Sequence, residues 1–341
     1  MSERIHAIAA TGRARVVAAV ALCGLLSGCG GALETPDPAP RLDVTPAPIA
    51  TATGLNGGPV APPREGAYLG AWVKPRVVNQ RERIAAFDRF EARLGRQVTL
   101  VNTYRPFTEE FFTQSDLHFL QRGSILMLSW ASGDTRATAL GRYDELIRER
   151  AERVAELDRP IMIRFRWEMD RPNLRASMWS GADYIAAWKH VRRLFREEGA
   201  TNVSWVWCPT AEGFAGGSAP EFYPGDDEVD WLCVDVYAAS RFADLNTLLT
   251  PFLQWSAARP KPIIIGEYGV SRAYPAARRA EWLTNAASVF RANPQIKAVS
   301  YFESDPDPKD EAQQFAISDT PAALRSFTSM ARDAYFAPRA P

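Results

Sequence analysis

From residue 67 onward the chain alternates short, β-rich apolar runs with longer segments whose apolar residues recur at helical spacing. Eight such runs are present: Ala67–Val73, Val98–Tyr104, Ile125–Trp130, Ile161–Trp167, Val203–Cys208, Trp231–Tyr237, Ile263–Tyr268 and Ile296–Phe302. Between and after them lie amphipathic segments predicted as helices over Arg81–Leu94, Ala137–Leu157, Ala182–Glu198, Ala243–Ala257, Ala276–Arg291 and Ala322–Ala334. Parallel strands covered on both faces by helices are the expected outcome. Eight βα units close into a (β/α)8 TIM barrel more readily than they open into a doubly wound sheet. An open dinucleotide-binding sheet would place a glycine-rich phosphate loop after its first strand, and the turn after Val73 reads KPRVVNQ instead. At 341 residues, the chain holds one barrel of about 250 residues with an N-terminal extension to spare. The barrel is assigned to 67–336.

The extension reads as an address followed by a tether. Arg13 and Arg15 precede the apolar run Val16–Leu26, which is shorter than the roughly 20 residues that span a bilayer and suits a secretory signal. The run closes on Leu26-Ser27-Gly28-Cys29, which resembles the bacterial lipobox, whose cysteine is lipidated; cleavage as an ordinary signal peptide nearby is the alternative. Residues 1–28 are therefore expected to be a lipoprotein signal and Cys29 the lipid anchor. Gly30, in place of an aspartate, favours the outer membrane. Residues 29–66 are rich in proline, alanine, threonine and glycine without apolar periodicity, and are predicted to be a flexible linker. An exported, membrane-anchored monomer is the expectation.

Forty lysines and arginines balance forty aspartates and glutamates, so no global field draws the chain to nucleic acid. Only three histidines are present, His6, His118 and His190, and none has metal-ligand spacing. No cofactor or metal is implied. There is no GxSxG elbow and no strand-end histidine to serve a lyase or esterase. Of four cysteines, Cys23 and Cys29 fall in the signal region. Cys208 and Cys233 remain on adjacent strands, where export permits a disulfide but two buried thiols are the more common outcome.

In such barrels the chemistry sits where strands give way to loops at their C-terminal ends. Strand four reads IMIRFRWEMD and delivers Glu168 at its tip; strand seven reads PIIIGEYGV and delivers Glu267. Burying an unpaired carboxylate costs several kcal/mol, about what a structural element cannot spare without a use for the charge. Each alone could be a salt bridge to Arg164, Arg166 or Lys261; two on one rim point to catalysis. Arg164 is expected inside the barrel, paired with Asp235 on strand six in a structural role, the alternative being contact with the substrate. Trp72, Trp130, Trp179, Trp205 and Trp207 lie at or near strand ends, where a flat face can stack on a ligand although each alone is more often core, and Trp207 ranks above Trp205 because it is nearer the mouth.

These residues carry a resemblance over roughly Ala67–Arg332. The chain resembles glycoside hydrolase family 26, a β-mannanase-like family in the clan of retaining barrel glycosidases. RFRWEMD is similar to the family's strand-four motif, Arg-Phe-Gly-His-Glu-Met-Asn, which implies that Glu168 is the acid/base. YPGDDEVDWLCVDVY resembles the stretch into strand six and implies that Tyr237 hydrogen-bonds the nucleophile. KPIIIGEYGV resembles strand seven and implies that Glu267 is that nucleophile. The segments YIAAWKHVRRLFREEGATNVSWVWCPT and FAISDTPAALRSF resemble helix four with strand five and the closing segment. Trp167 stands where the family has histidine, Asp170 where it has asparagine, and Ala131 where many members have histidine or glutamate. These departures bear on sugar specificity.

The resemblance implies an endo-acting retaining hydrolase of β-linked polysaccharide, β-mannan or β-glucan-like. Glu267 must be ionised to attack, held by donors such as Tyr237 and a lumen arginine, while Glu168 must start protonated. Trp167 is placed to desolvate Glu168 and so favour its protonated form, the alternative being that it only packs on the rim. The rival function is a non-catalytic carbohydrate-binding lipoprotein, against which the retention of both glutamates argues.

Overall fold

The computed structural model describes residues 55–157, 159–338 and 340. The signal, Cys29 and most of the linker lie outside the described residues. Eight parallel strands close into one barrel in chain order. They are β1 Tyr68–Val73, β2 Leu100–Arg105, β3 Ile125–Trp130, β4 Ile161–Phe165, β5 Val203–Trp207, β6 Trp231–Ala238, β7 Ile263–Val270 and β8 Ile296–Glu303. The α-helices are α1 Gln80–Leu94, α2 Gln114–Gln121, α3 Thr135–Ala139, α4 Asp144–Glu156, α5 Arg175–Met178, α6 Gly181–Glu197, α7 Ala211–Gly216, α8 Leu245–Ser256, α9 Ala276–Ala292 and α10 Pro321–Arg332. Among the described residues no helix is long and apolar enough to cross a membrane.

Local signals account for the helix ends. Asn79 caps α1 by accepting from the Glu82 amide at 2.8 Å, and Gly95 closes it in the left-handed conformation at φ 72°. The single helix expected over 137–157 is two, α3 and α4, because Gly141 at φ 78° ends the first. Helix α2, which the periodicity did not predict, starts from a reciprocal cap between Thr113 and Asp116.

Apolar side chains form two layers. The outer one, between strands and helices, holds Trp130, Phe165, Trp188, Trp205 and Trp207. The inner one fills the N-terminal half of the barrel with Tyr68, Leu100, Met127, Met162, Val206, Trp231 and Ile264. Strand alternation then sets Asn102, Ser129, Arg164, Asp235 and Ser300, all buried, as a polar layer above it. The lumen is thus apolar at one end and polar towards the other, where the loops gather.

Two expectations are corrected here. The linker does not extend to residue 66: Leu55 and Val60 are buried, and Val60 joins the inner core. The Ser204 hydroxyl and the Trp231 indole both donate to the Gly57 carbonyl, at 2.6 and 2.9 Å. Those buried donors need acceptors, and residues 57–61 supply them. Cys208 and Cys233 form a disulfide rather than two thiols, since parallel pairing of β5 and β6 brings their Cα atoms to 4.3 Å.

Candidate active site

Strand β4 stops at Phe165, two residues before the expected end, and the chain turns sharply into its loop. Arg166 and Glu168 adopt φ values of 46° and 53°, in the left-handed region that side chains rarely occupy. The turn is held by the Arg166 amide donating to the Trp130 carbonyl at 2.8 Å and the Glu168 amide donating to the Cys208 carbonyl at 2.7 Å. This orientation brings Glu168 back over the lumen.

Glu267 reaches the lumen by a different device. The pairing of β6 with β7 runs Val234 to Ile265 and then Asp235 to Glu267, leaving Gly266 as the extra residue of a β-bulge. Without it, alternation from Ile264 would turn residue 267 outward towards the helices. A Cβ on Gly266 would lie 2.5 Å from Cys233 Sγ, 2.7 Å from Asp235 Oδ1 and 2.9 Å from Arg164 Nη1. Only glycine fits there.

One oxygen each of Glu168, Asp235 and Glu267 lie within 4.8 Å of one another, and Glu168 and Glu267 line a cleft of about 700 Å³. Glu267 accepts three hydrogen bonds: from Tyr104 Oη and Arg164 Nη2, each at 2.5 Å, and from Tyr237 Oη. Arg164 also spans both oxygens of Asp235 at 2.8 Å, as expected, and Ser129 receives its Nε. Burial opposes the Arg164 charge, but Asp235 and Glu267 outweigh it and raise its pKa further. Burial, then the Glu267 charge, pushes the Tyr104 and Tyr237 hydroxyls well above the usual tyrosine range, so both remain donors.

Glu168 has the opposite environment. Burial first and the Glu267 charge second push its carboxyl up to about 7, against the lowering effect of Arg171, whose Nη1 donates to Oε2 at 2.7 Å. Thus one carboxyl is surrounded by donors and the other is poised to hold a proton near neutrality. Of the three neighbouring carboxylates, Asp235 and Glu267 are paired with Arg164 and Glu168 with Arg171, and the nearby sulfurs of Cys208 and Cys233 are joined to each other.

Of the aromatic residues singled out in the sequence, Trp72, Trp167 and Tyr237 line the cleft. Tyr104 sits between two of them, its ring 4.9 Å from both Trp72 and Trp167. Four others do not line it, Trp205 being buried in the layer between strands and helices. Trp130 and Trp207 have the outward parity of their strands and are fully buried against helices, their indoles donating to the carbonyls of Phe107 and Phe222 at 3.1 and 3.0 Å. Trp179 is half-exposed after α5, with its indole on Asp134 at 2.6 Å and the Arg136 guanidinium 4.2 Å above its ring. Asp170 borders the cleft, yet it is turned onto Thr210, accepting from its amide at 3.0 Å and its hydroxyl at 2.7 Å. Sequence reasoning missed Tyr104 and Arg171. Tyr104 has the parity of Asn102 at the tip of β2, which was the available signal; Arg171 had none.

No protein-family model matches the chain. Among curated proteins it is similar to endoglucanase H of Acetivibrio thermocellus, 25% identical over 286 residues, which are 77% of this chain and 30% of that protein. It is also similar to beta-1,3-xylanase TXYA of a Vibrio species, 32% identical over 151 residues, 41% of this chain and 30% of the relative. The chain thus spans about 30% of the length of these relatives. Among solved structures, a GH26 β-mannanase from Bacteroides ovatus superposes with a TM-score of 0.59 at 18% identity, covering 80% of this chain and 90% of that one. The catalytic domain of a GH26 endo-β-1,4-mannanase from Bacillus sp. JAMB-750 gives 0.61 at 14% identity, covering 79% and 86%. At these identities the likeness is one of fold, and the fold this chain shares with those mannanases is the closed (β/α)8 barrel.

Proposed function

We propose that the chain is a retaining, endo-acting glycoside hydrolase that cleaves a β-linked polysaccharide, with Glu267 as nucleophile and Glu168 as acid/base. The observation that carries this reading is the pair of glutamates in one cleft, close together and in opposite environments. Oxygens within 4.8 Å of one another support the closer of the two carboxyl spacings, about 5–5.5 Å for double displacement against about 6.5–9.5 Å for inversion. In the first step a Glu267 oxygen bonds to the anomeric carbon as the glycosidic bond breaks, and the proton on Glu168 goes to the departing oxygen. In the second, Glu168 takes a proton from water as that water attacks the same carbon and Glu267 leaves.

The aromatic walls formed by Trp72, Trp167, Tyr237 and Phe302 suit the apolar faces of pyranose rings. Relatives and neighbours named for endoglucanase, β-1,3-xylanase and β-mannanase activities support a β-linked backbone of β-mannan or β-glucan type. The lipobox-like segment ending at Cys29 supports export and lipid anchoring, which fatty-acid labelling of wild type but not of Cys29→Ser would test. A reducing-sugar assay across polysaccharides, followed by proton NMR on the substrate cleaved, tests the reaction itself. The first product should be the β-anomer; the α-anomer would contradict retention, and oligosaccharide binding without cleavage would favour a binding barrel.

A further inference from the structure

The two glutamates differ in how the protein holds them. Glu267 has three donors, whereas among the described residues the only side chain that donates to Glu168 is Arg171, on Oε2 at 2.7 Å. Among the described residues no donor reaches Oε1. The backbone enforces this contact: the Arg171 amide donates to the Glu168 carbonyl at 3.1 Å, closing a turn that returns the guanidinium over the carboxylate three residues back. The neighbours of that turn fix it further, Asp170 being held by Thr210 and Pro172 restricting the next φ. Arg171 is 48% exposed, and an ion pair on so open a cation adds little to stability. Its geometry has a better use at the cleft.

We propose, resting on the reading of Glu168 as acid/base, that Arg171 is a positioning residue: it occupies Oε2 so that Oε1 carries the catalytic proton into the cleft. The proton on Oε1 passes to the glycosidic oxygen as that oxygen takes the electron pair of the breaking bond. Glu168 is then anionic, and Arg171 holds that charge until a proton from the attacking water returns to Oε1. Arg171 itself gains and loses no proton. The charged and titratable groups facing Glu168, besides Arg171, are Glu267 on β7, Asp235 and Tyr237 on β6, Arg164 on β4 and Arg166 in the turn that follows it. Glu267 and Asp235 disfavour its ionisation, and Arg164 is committed to those two carboxylates. Arg166, on the same turn, also feels the Glu168 charge but makes no hydrogen bond to it, so among the described residues Arg171 is the cation in contact with the carboxylate.

The test is a carbon-13 carboxyl NMR titration of the glutamate-labelled chain, with the Glu168 resonance assigned by its loss in Glu168→Gln. In Arg171→Met the midpoint should rise by about one pH unit, the lower end of what a removed opposite charge does, and Arg171→Lys should restore most of it. The basic limb of kcat/KM should move by the same amount, which a residue that only bound substrate or stiffened the loop would not cause. An unmoved midpoint in Arg171→Met, beside a Glu168→Ala variant that has lost turnover, overturns the role of Arg171 alone. A Glu168→Ala variant with full turnover overturns the assignment of Glu168 and this proposal with it.

Discussion

Glu168 and Glu267 are the same amino acid reaching one cleft from a loop and from a strand, and their environments differ in the donors each one meets and in what burial does to each. That difference has a consequence for stability. The Glu168 carboxyl is raised from 4.5 to about 7 in the folded chain, chiefly by burial, so its contribution is full below pH 4.5 and is lost as pH rises through 7. Replacing it with glutamine, which stays neutral, should leave stability near wild type at pH 4.5 and exceed it by on the order of 2–3 kcal/mol at pH 8. Denaturant midpoints across that range would show a widening gap; a gap independent of pH would refute the cause. Both carboxylates were legible as candidates because a charge at the tip of an apolar strand stands out. Arg171 was not, because an arginine in a loop looks like any solvated cation until the turn that folds it back is seen.

At the level of elements, the eight strands were legible to within a few residues because their apolar runs are short, β-rich and regularly spaced. What could not be read was which side of each strand faces the lumen. In a parallel barrel both faces are apolar, so Trp130 and Trp207 gave no sign that they point to the helices. The bulge in β7 was equally hidden, although it is what turns Glu267 inward. Gly266→Ala tests it directly: the added methyl meets Cys233, Asp235 and Arg164 at less than 3.0 Å, so the strand must shift. Stability should fall by about 1–3 kcal/mol and turnover should fall by a larger factor than the loss of folded protein explains. A variant with wild-type activity and melting temperature would show that the bulge is not needed to place Glu267.

At the scale of the whole molecule, the barrel is closed at its N-terminal end by residues that composition assigned to a linker. Proline and glycine mark the segment as irregular, and irregular backbone can still pack when its carbonyls have buried donors to meet. A chain starting at residue 67 would lose the burial of Val60 and leave the Ser204 hydroxyl and Trp231 indole without the Gly57 carbonyl. It should be less stable than one starting at residue 55 by roughly 2–4 kcal/mol. Equal denaturant midpoints would show that the segment adds nothing. The site lies at the opposite end, so the account stands or falls on the two glutamates, and each variant can still perform a different step. Glu267→Ala has no nucleophile and should be inactive on polysaccharide and activated aryl glycoside alike. Glu168→Ala should lose most activity on polysaccharide yet still form the glycosyl-enzyme from an aryl glycoside with a good leaving group, and the intermediate should accumulate for want of a base. The most direct measurement is therefore turnover of that aryl glycoside by Glu168→Ala with azide present: the account predicts restored turnover and a β-glycosyl azide, whereas an α-glycosyl azide, or rescue seen in Glu267→Ala instead, would contradict it.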